Sequence, residues 1–401
     1  MKKTIITLFS GLSLAASAQI GPEVTSWIIN TTNATGYGGI SSNVQQVQYS
    51  TNNVYVSASC VPGYAIGPWA GNPNTPSNQN FVYKITRTPV QNMGTPTTVG
   101  LGHIGVWTNG VSIFNVSDGM SYNNAGVWNR NAYFWEGASF DNCLGHPAPN
   151  GEYHHHVSPS CLYNINASTV HSPIIGYAFD GYPVYGAYAY TNVNGTGAIK
   201  RMASSYQTTT TATRTNGPAV SSTYPVGCFM EDYSYVAGSG DLDARNGRFC
   251  VTPEYPSGTY AYFVTLDASL MPQFPYTFYK TYYGVVQTGN TGPTGGHNTI
   301  TESVTTYTGN SNGLKEEEQN ISCRIFPNPA TQEFIHLFID AIAQNNFTIV
   351  ITDITGKIVR TEKNIQPTVS YTFDLNGLSK GVYFMKISNE YISKTEKIII
   401  N

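Results

Sequence analysis

Charge is what this chain has least of. Its 401 residues carry 20 Lys plus Arg and 23 Asp plus Glu, about one charged residue in nine, where soluble domains average roughly one in four. A net charge of −3 with no dense Lys/Arg patch excludes the electrostatic footprint of a nucleic-acid binder and implies neither an acidic nor a basic partner. Ala, Glu, Lys and Leu do not dominate as long surface helices require, so a helical bundle or coiled coil is excluded. Beyond the first residues no stretch approaches the roughly 20 consecutive apolar residues of a membrane span. There is also no G-x-S-x-G elbow, P-loop, H-E-x-x-H helix or dinucleotide fingerprint, so a Ser or Cys nucleophile has no local support. What is abundant is 29 Tyr, 17 Phe, 39 Gly and 22 Pro, a balance that favours strands and turns and predicts a mainly β protein.

The chain opens with Lys2 and Lys3, an apolar run from Ile5 to Leu14 and the small residues Ala16-Ser17-Ala18, the pattern of a signal peptide over 1–18. Six Cys follow it, and an exported chain can oxidise them. Proximity favours Cys143 with Cys161 and Cys228 with Cys250, although six Cys allow 15 pairings. Residues 19–286 alternate short aromatic and β-branched runs with Gly, Pro and Asn signals, as a β-rich domain does. Within it, the Ser/Thr-rich stretch 204–222 predicts an exposed loop. Residues 287–320 turn to Gly, Thr, Asn and Ser and end in Lys315-Glu316-Glu317-Glu318, predicting a flexible linker.

Residues 321–401 replace Tyr and Gly with Ile, Lys and Phe, and alternation in FTIVITDI, YTFDL and VYFMKIS predicts a small immunoglobulin-like β-sandwich. Four ordered motifs stand out: Pro327-Asn328-Pro329; Asp353, Gly356 and Lys357 in ITDITGKIV; Leu378, Gly381 and Tyr383 in LSKGVYFMKI; and the terminus KTEKIIIN. Together they resemble the C-terminal sorting domain of the type IX secretion system of Bacteroidetes. The resemblance implies that machinery as a partner, and a product released or held on the outer cell surface.

Five of the eight His lie close together, at His146, His154, His155, His156 and His171. In an extended segment His154 and His156 share one face while Tyr153 and His155 take the other. Two imidazoles on one face can converge on one ion, and His146 is the nearest third ligand, since HPAPNG can fold back. His171 is either a fourth ligand or a backbone partner. Asp180, the acid inside YAFDGYPVYG, is either a turn residue or a carboxylate that orients a ligand. Glu152 is a further acid beside the strand. His103 belongs to the core or stands behind the ligands, and neither His297 nor His336 is a ligand. Imidazole donors suit copper or zinc, whereas only seven Met argue against a soft copper(I) site. Asp241, Asp243, Asn246 and Gly247 nearly match a calcium loop, but Asn and Gly come one position late and no Glu follows, so a tight acidic turn is the preferred reading.

The segments DNCLGHPAPNGEYHHH, SPIIGYAFDGYPVYG and DYSYVAGSGDLDARNGRFCVTPEYPSGTYAYFVT resemble the YHYH domain family over Gly102 to Gly284. The resemblance falls on Tyr153, His154 and His156, and on His146, Asp180, Gly181, Pro183, Asp241, Asp243, Asn246 and Gly247. It departs at His155, where the family's name-giving pattern has Tyr. It supplies no reaction. The expectation is therefore an exported protein holding a transition metal through His154, His156 and a third group, hydrolytic if Asp180 or Glu152 serves as base. The rival is a surface adhesin binding glycans or another small extracellular ligand on Trp69, Trp107, Trp128 and Trp135, with structural histidines.

Overall fold

The computed structural model describes residues 20–209, 213–292, 295–309, 322–330, 334–340, 346–366, 370–388 and 393–401. The expected signal peptide, 1–18, lies outside the described residues. Among them the protein is mainly β, and no helix is long and apolar enough to cross a membrane.

The first domain is organised around an eight-stranded mixed sheet. Its order is Gly247–Cys250, Thr259–Phe263, Pro183–Tyr185, Ile174–Ala178, His103–Trp107, Ser112–Phe114, Tyr153–His155 and His146–Pro147. One face packs on an antiparallel sheet of Val44–Tyr49, Asn53–Ala58 and Phe81–Thr86, with Val56, Tyr83, Tyr177 and Phe263 in the shared core. The other face is covered by loops around Trp107, Tyr153, Leu162 and Tyr262. Because both faces are covered, His103–Trp107, Ile174–Ala178 and Thr259–Phe263 are buried at every position, which is why these runs are continuously apolar rather than alternating.

The expected linker divides. Residues 293–294 and 310–320 lie outside the described residues, but the described residues of 287–309 are packed on the domain. Thr305–Thr306 pairs with Val44–Tyr49, and the Asn290 side chain makes two hydrogen bonds with the Lys84 backbone, at 2.9 and 2.6 Å. Glu302 accepts from Asn53 and Tyr55 at 2.7 Å each. A polar segment cannot bury a core of its own, yet its amides can cover both open edges of the small sheet, and composition alone does not distinguish the two fates.

The loop 204–222 is likewise anchored. Among its described residues, Tyr206–Thr208 pairs with Tyr233–Tyr235, and the buried Arg214 guanidinium meets both oxygens of Asp232 at 2.8 Å. Cys143 and Cys161 form a disulfide. Cys228 and Cys250 do not: both are free and buried. Cys228 lies 3.8 Å from Arg214 Nη2, whereas Cys250 ends a strand of the central sheet and packs in the core between the two sheets. The intervening strand and turn carry two residues close in sequence to different places.

The C-terminal domain is the expected sandwich. A three-stranded sheet (Ser322–Phe326, Phe334–Asp340, Ser370–Asp374) and a four-stranded sheet (Ile358–Ile365, Phe347–Asp353, Gly381–Ser388, Ser393–Ile400) are both antiparallel. They share one core of Ile335, Leu337, Ile349, Ile351, Met385 and Ile387. Here one face of each strand is inward, so alternation survives in the sequence.

Candidate metal centre

The strands His146–Pro147 and Tyr153–His155 form a hairpin at the edge of the central sheet, with His146 opposite His154. Asn150-Gly151 makes the turn: Gly151 has φ +81°, its N–H donates to the Ala148 carbonyl at 2.8 Å, and the Ala148 N–H donates to the Glu152 carbonyl at 2.9 Å. Cross-strand neighbours project on the same face, so His146 and His154 share a face, and His156, two residues beyond His154, joins them.

The three rings are 3–5 % exposed, and each has its Nδ1 committed elsewhere. His154 Nδ1–H donates to the Glu152 carbonyl at 3.0 Å, and His156 Nδ1–H to the Asn115 carbonyl at 2.5 Å. The Ser139 hydroxyl donates to the Glu136 carbonyl at 2.8 Å and so accepts from His146 Nδ1–H at 2.8 Å. A carbonyl only accepts, so these contacts place a proton on each Nδ1, and whenever a ring is neutral its lone pair is on Nε2. The Nε2 atoms of His154 and His156 face each other at 3.1 Å, and one ring nitrogen from each of the three histidines lies within 4.8 Å of the others. Among the described residues this is the only such group of His, Cys, Asp or Glu. Phe114 stacks on His154 at 3.7 Å, and Phe140 packs edge-on to His146 at 4.8 Å, holding the rings in place.

Glu136 completes the cluster. It caps the C-terminus of a one-turn helix, Ala132–Trp135, whose N-terminus is capped by the Asn131 side chain. Its Oε2 lies 3.1 Å from His156 Nε2 and 3.7 Å from His146 Nε2. Burial works to raise the Glu136 carboxyl, but the hydrogen bond and charge of His156, helped by His146 and Arg130, carry it below the ordinary value. Burial pushes His146 down to about 4, with the charge of His156 adding to it and Glu136 opposing. Burial, with the neighbouring His146 and His156, also lowers His154 far below its usual range. Above the cluster opens a cavity of about 670 Å³, lined also by Asn72, Asp118 and Trp135.

Other candidates lie elsewhere. His171 donates to the Ser172 carbonyl at 2.7 Å and packs among Tyr185, Tyr190 and Phe263. Asp180 is fully buried and accepts from Tyr262 Oη at 2.7 Å, Gly284 N–H at 2.8 Å and Tyr182 N–H at 3.2 Å. None of these partners is an imidazole, so it orients no ligand. Glu152 turns away from the cavity, accepting from Ser112 at 2.5 Å and facing His103 at 3.0 Å, and only its backbone carbonyl serves the cluster. Neither acid lines the cavity. His155 is buried on the opposite face beside Tyr153 and Trp107. Asp241 pairs with Lys200 at 2.7 Å, Asp243 accepts from the Arg245 and Gly247 N–H groups, and Asn246 donates into the core to the Phe263 carbonyl at 2.8 Å. The two carboxylates thus each hold a piece of the turn.

Glu136 and Ser139 were not among the sequence candidates. The signal was present for Glu136: AYFWEGASF sets one acid in an aromatic run, as YAFDGYPVYG does for Asp180. Of the Trp residues, Trp107 is core, and Trp69, Trp128 and Trp135 each donate an indole N–H internally, to Asp141, the Thr215 carbonyl and the Cys228 carbonyl. Arg130 covers the Trp135 ring at 4.4 Å.

Fold and site define a disulfide-braced β domain with a histidine-lined cavity, followed by a small β-sandwich. Residues 82–275 match the family described as YHYH protein, and residues 324–401 match the secretion system C-terminal sorting domain. The chain thus contains a YHYH domain followed by that sorting domain. The sorting domain directs it to the type IX secretion machinery, and the protein is exported, extracellular or attached to the outer cell surface. No curated protein is matched. A solved structure of PorZ, described as an essential bacterial surface component of the type IX secretion system of Porphyromonas gingivalis, aligns at 12 % identity over 93 % of this chain and 46 % of its own, with a TM-score of 0.18. The chain thus spans under half the length of that protein, and the likeness carries no argument about fold or function.

Proposed function

We propose that the YHYH domain binds one divalent transition metal, copper or zinc, through Nε2 of His146, His154 and His156, with a Glu136 carboxylate oxygen as the fourth donor. The observation that carries this reading is the convergence of three Nε2 lone pairs whose Nδ1 atoms are all committed away from the centre. Ligands about 2.1 Å from a tetrahedral ion stand about 3.4 Å apart. The observed His154–His156 contact of 3.1 Å is near this already, and the Nε2 atoms of His146 and His156 face the same Glu136 oxygen. A proton on His156 Nε2 satisfies one of the acceptors facing it, whereas an ion satisfies all of them. The Nδ1 partners fix ring orientation from behind, as is usual around metal-bound histidines.

When bound in a site open to a cavity, such an ion supplies a Lewis acid or an activated water. The chain's own contribution to hydrolysis of an extracellular substrate is then to hold His146 and His154 neutral, to keep Glu136 ionised and to leave the cavity side of the cluster accessible. Elemental analysis tests the reading on secreted protein purified without a metal-affinity tag, beside a His154→Ala/His156→Ala variant. Near-stoichiometric copper or zinc that disappears in the variant supports it. Metal-free protein that stays folded in both forms rejects it.

A further inference from the structure

The cavity above the histidines has a neighbour. A second cavity, of about 460 Å³, opens on the other side of the segment 133–139, and Ala138 lines both. The segment sends Trp135, Glu136 and Ser139 toward the histidines, and Tyr133, Phe134 and Gly137 toward the second cavity. What separates the two is a low saddle built from the smallest side chains in the segment, Gly137 and Ala138. Beyond it the walls are aromatic. Tyr233 and Tyr276 face Tyr133 and Phe134, and Phe134 is 45 % exposed although it is a large apolar ring.

Charge narrows the class of ligand. No Lys or Arg lines either cavity, and the carboxylates present are Glu136 and Asp118, both on the histidine side. Arg130, over the Trp135 ring, is paired with Asp118 at 3.7 Å, and a divalent ion on the histidines faces Glu136, so among the described residues no free side-chain cation is left on the combined surface to recruit phosphate, sulfate or carboxylate groups. The exposed Phe134 ring, with Tyr133 and Tyr233 beside it, presents an apolar face next to hydroxyl-bearing edges, which matches the surface of a sugar ring.

We propose that the two cavities form one cleft for an uncharged glycan chain, with one unit at the histidines and the next across Gly137–Ala138 against Phe134 and Tyr233. The inference rests on the metal reading for the chemistry and the charge at the first cavity, and not for the shape of the cleft. Titration calorimetry on the metal-analysed full protein checks it, using neutral cello-, xylo-, manno-, laminari- and chito-hexasaccharides beside their disaccharides. At least one hexasaccharide is expected to bind about tenfold tighter than its disaccharide, because only the longer chain crosses the saddle. Ala138→Trp, at an exposed position, is expected to abolish that length dependence, and Phe134→Ala to weaken the hexasaccharide about fivefold, the scale of one lost aromatic contact. Metal content is expected to stay unchanged in both. Absent or length-independent binding across the panel overturns the cleft, as does tighter capture of inorganic phosphate or of an uncharged hexapeptide. Metal-free protein that still shows length-dependent binding rejects the metal reading alone, so the two failures are separable.

Discussion

Asp180 and the histidine trio are buried to nearly the same degree, at 0 % and 3–5 % exposure, in the same domain, yet their hydrogen bonding is opposite. The Asp180 carboxylate accepts from a Tyr hydroxyl and two backbone N–H groups. The Nε2 atoms of the trio meet only one another and the Glu136 oxygen. A buried acceptor that is saturated holds the fold together, while several unsaturated acceptors aimed at one point are costly unless a cation joins them. Both motifs look alike in sequence, as polar residues in aromatic runs, and only the partners distinguish structural from binding roles.

The largest effect that would break this contrast is on metal affinity. His156→Ala is expected to lower it by at least about 100-fold, beyond the range seen when only outer-shell partners are lost, read by competition with a chelating dye. Retained affinity would move the site elsewhere. Glu136→Gln is expected to weaken binding about 10-fold to 100-fold with little change in unfolding midpoint, since its side chain is 31 % exposed and contributes little packing.

Asp180 should respond to pH instead. Burial raises its carboxyl from 3.8 to about 6, opposed by the hydrogen bonds from Tyr262, Gly284 and Tyr182. Between these values the folded state binds the proton and the unfolded state does not, so the stability from this group is full below pH 3.8 and is lost as pH rises through 6. In Asp180→Asn that loss is absent. The variant's stability deficit in urea unfolding is expected to shrink by about 2–3 kcal/mol between pH 4 and pH 7, at 1.36 kcal/mol per unit. A deficit independent of pH would show that the carboxyl is not perturbed.

Two smaller effects sharpen the comparison. His171→Ala is expected to leave metal content unchanged and to cost about 1 kcal/mol or less, as a half-buried ring bonded to one carbonyl. Unfolding without reductant, followed by alkylation and mass spectrometry, is expected to label four Cys, matching one disulfide and four free thiols. Labelling of only two would restore the Cys228–Cys250 pair.

Much of this was legible because it is local. The same-face His154 and His156, the Asn150-Gly151 turn that returns the chain to His146, and the Cys143–Cys161 bridge all lie within a span of 19 residues. Period-two alternation marked the sandwich strands because each has one inward face. Glu136 was missed because it reaches the cluster through a one-turn helix held by Asn131, which itself is bonded to Tyr276, 145 residues away. For a related reason the described parts of 204–222 and 287–309 are packed rather than exposed: whether a polar segment is solvated or completes a distant sheet edge depends on the edge.

The sequence by itself determined the β character, the exported architecture with its sorting domain and the pairing of imidazoles on one strand face, since these follow from composition, ordered motifs and side-chain alternation. Tertiary structure alone decided that Glu136 rather than Asp180 or Glu152 faces those imidazoles. A carboxylate's role is set by which donors surround it, and the donors to Asp180 and the partners of Glu152 come from strands and loops far away in the chain.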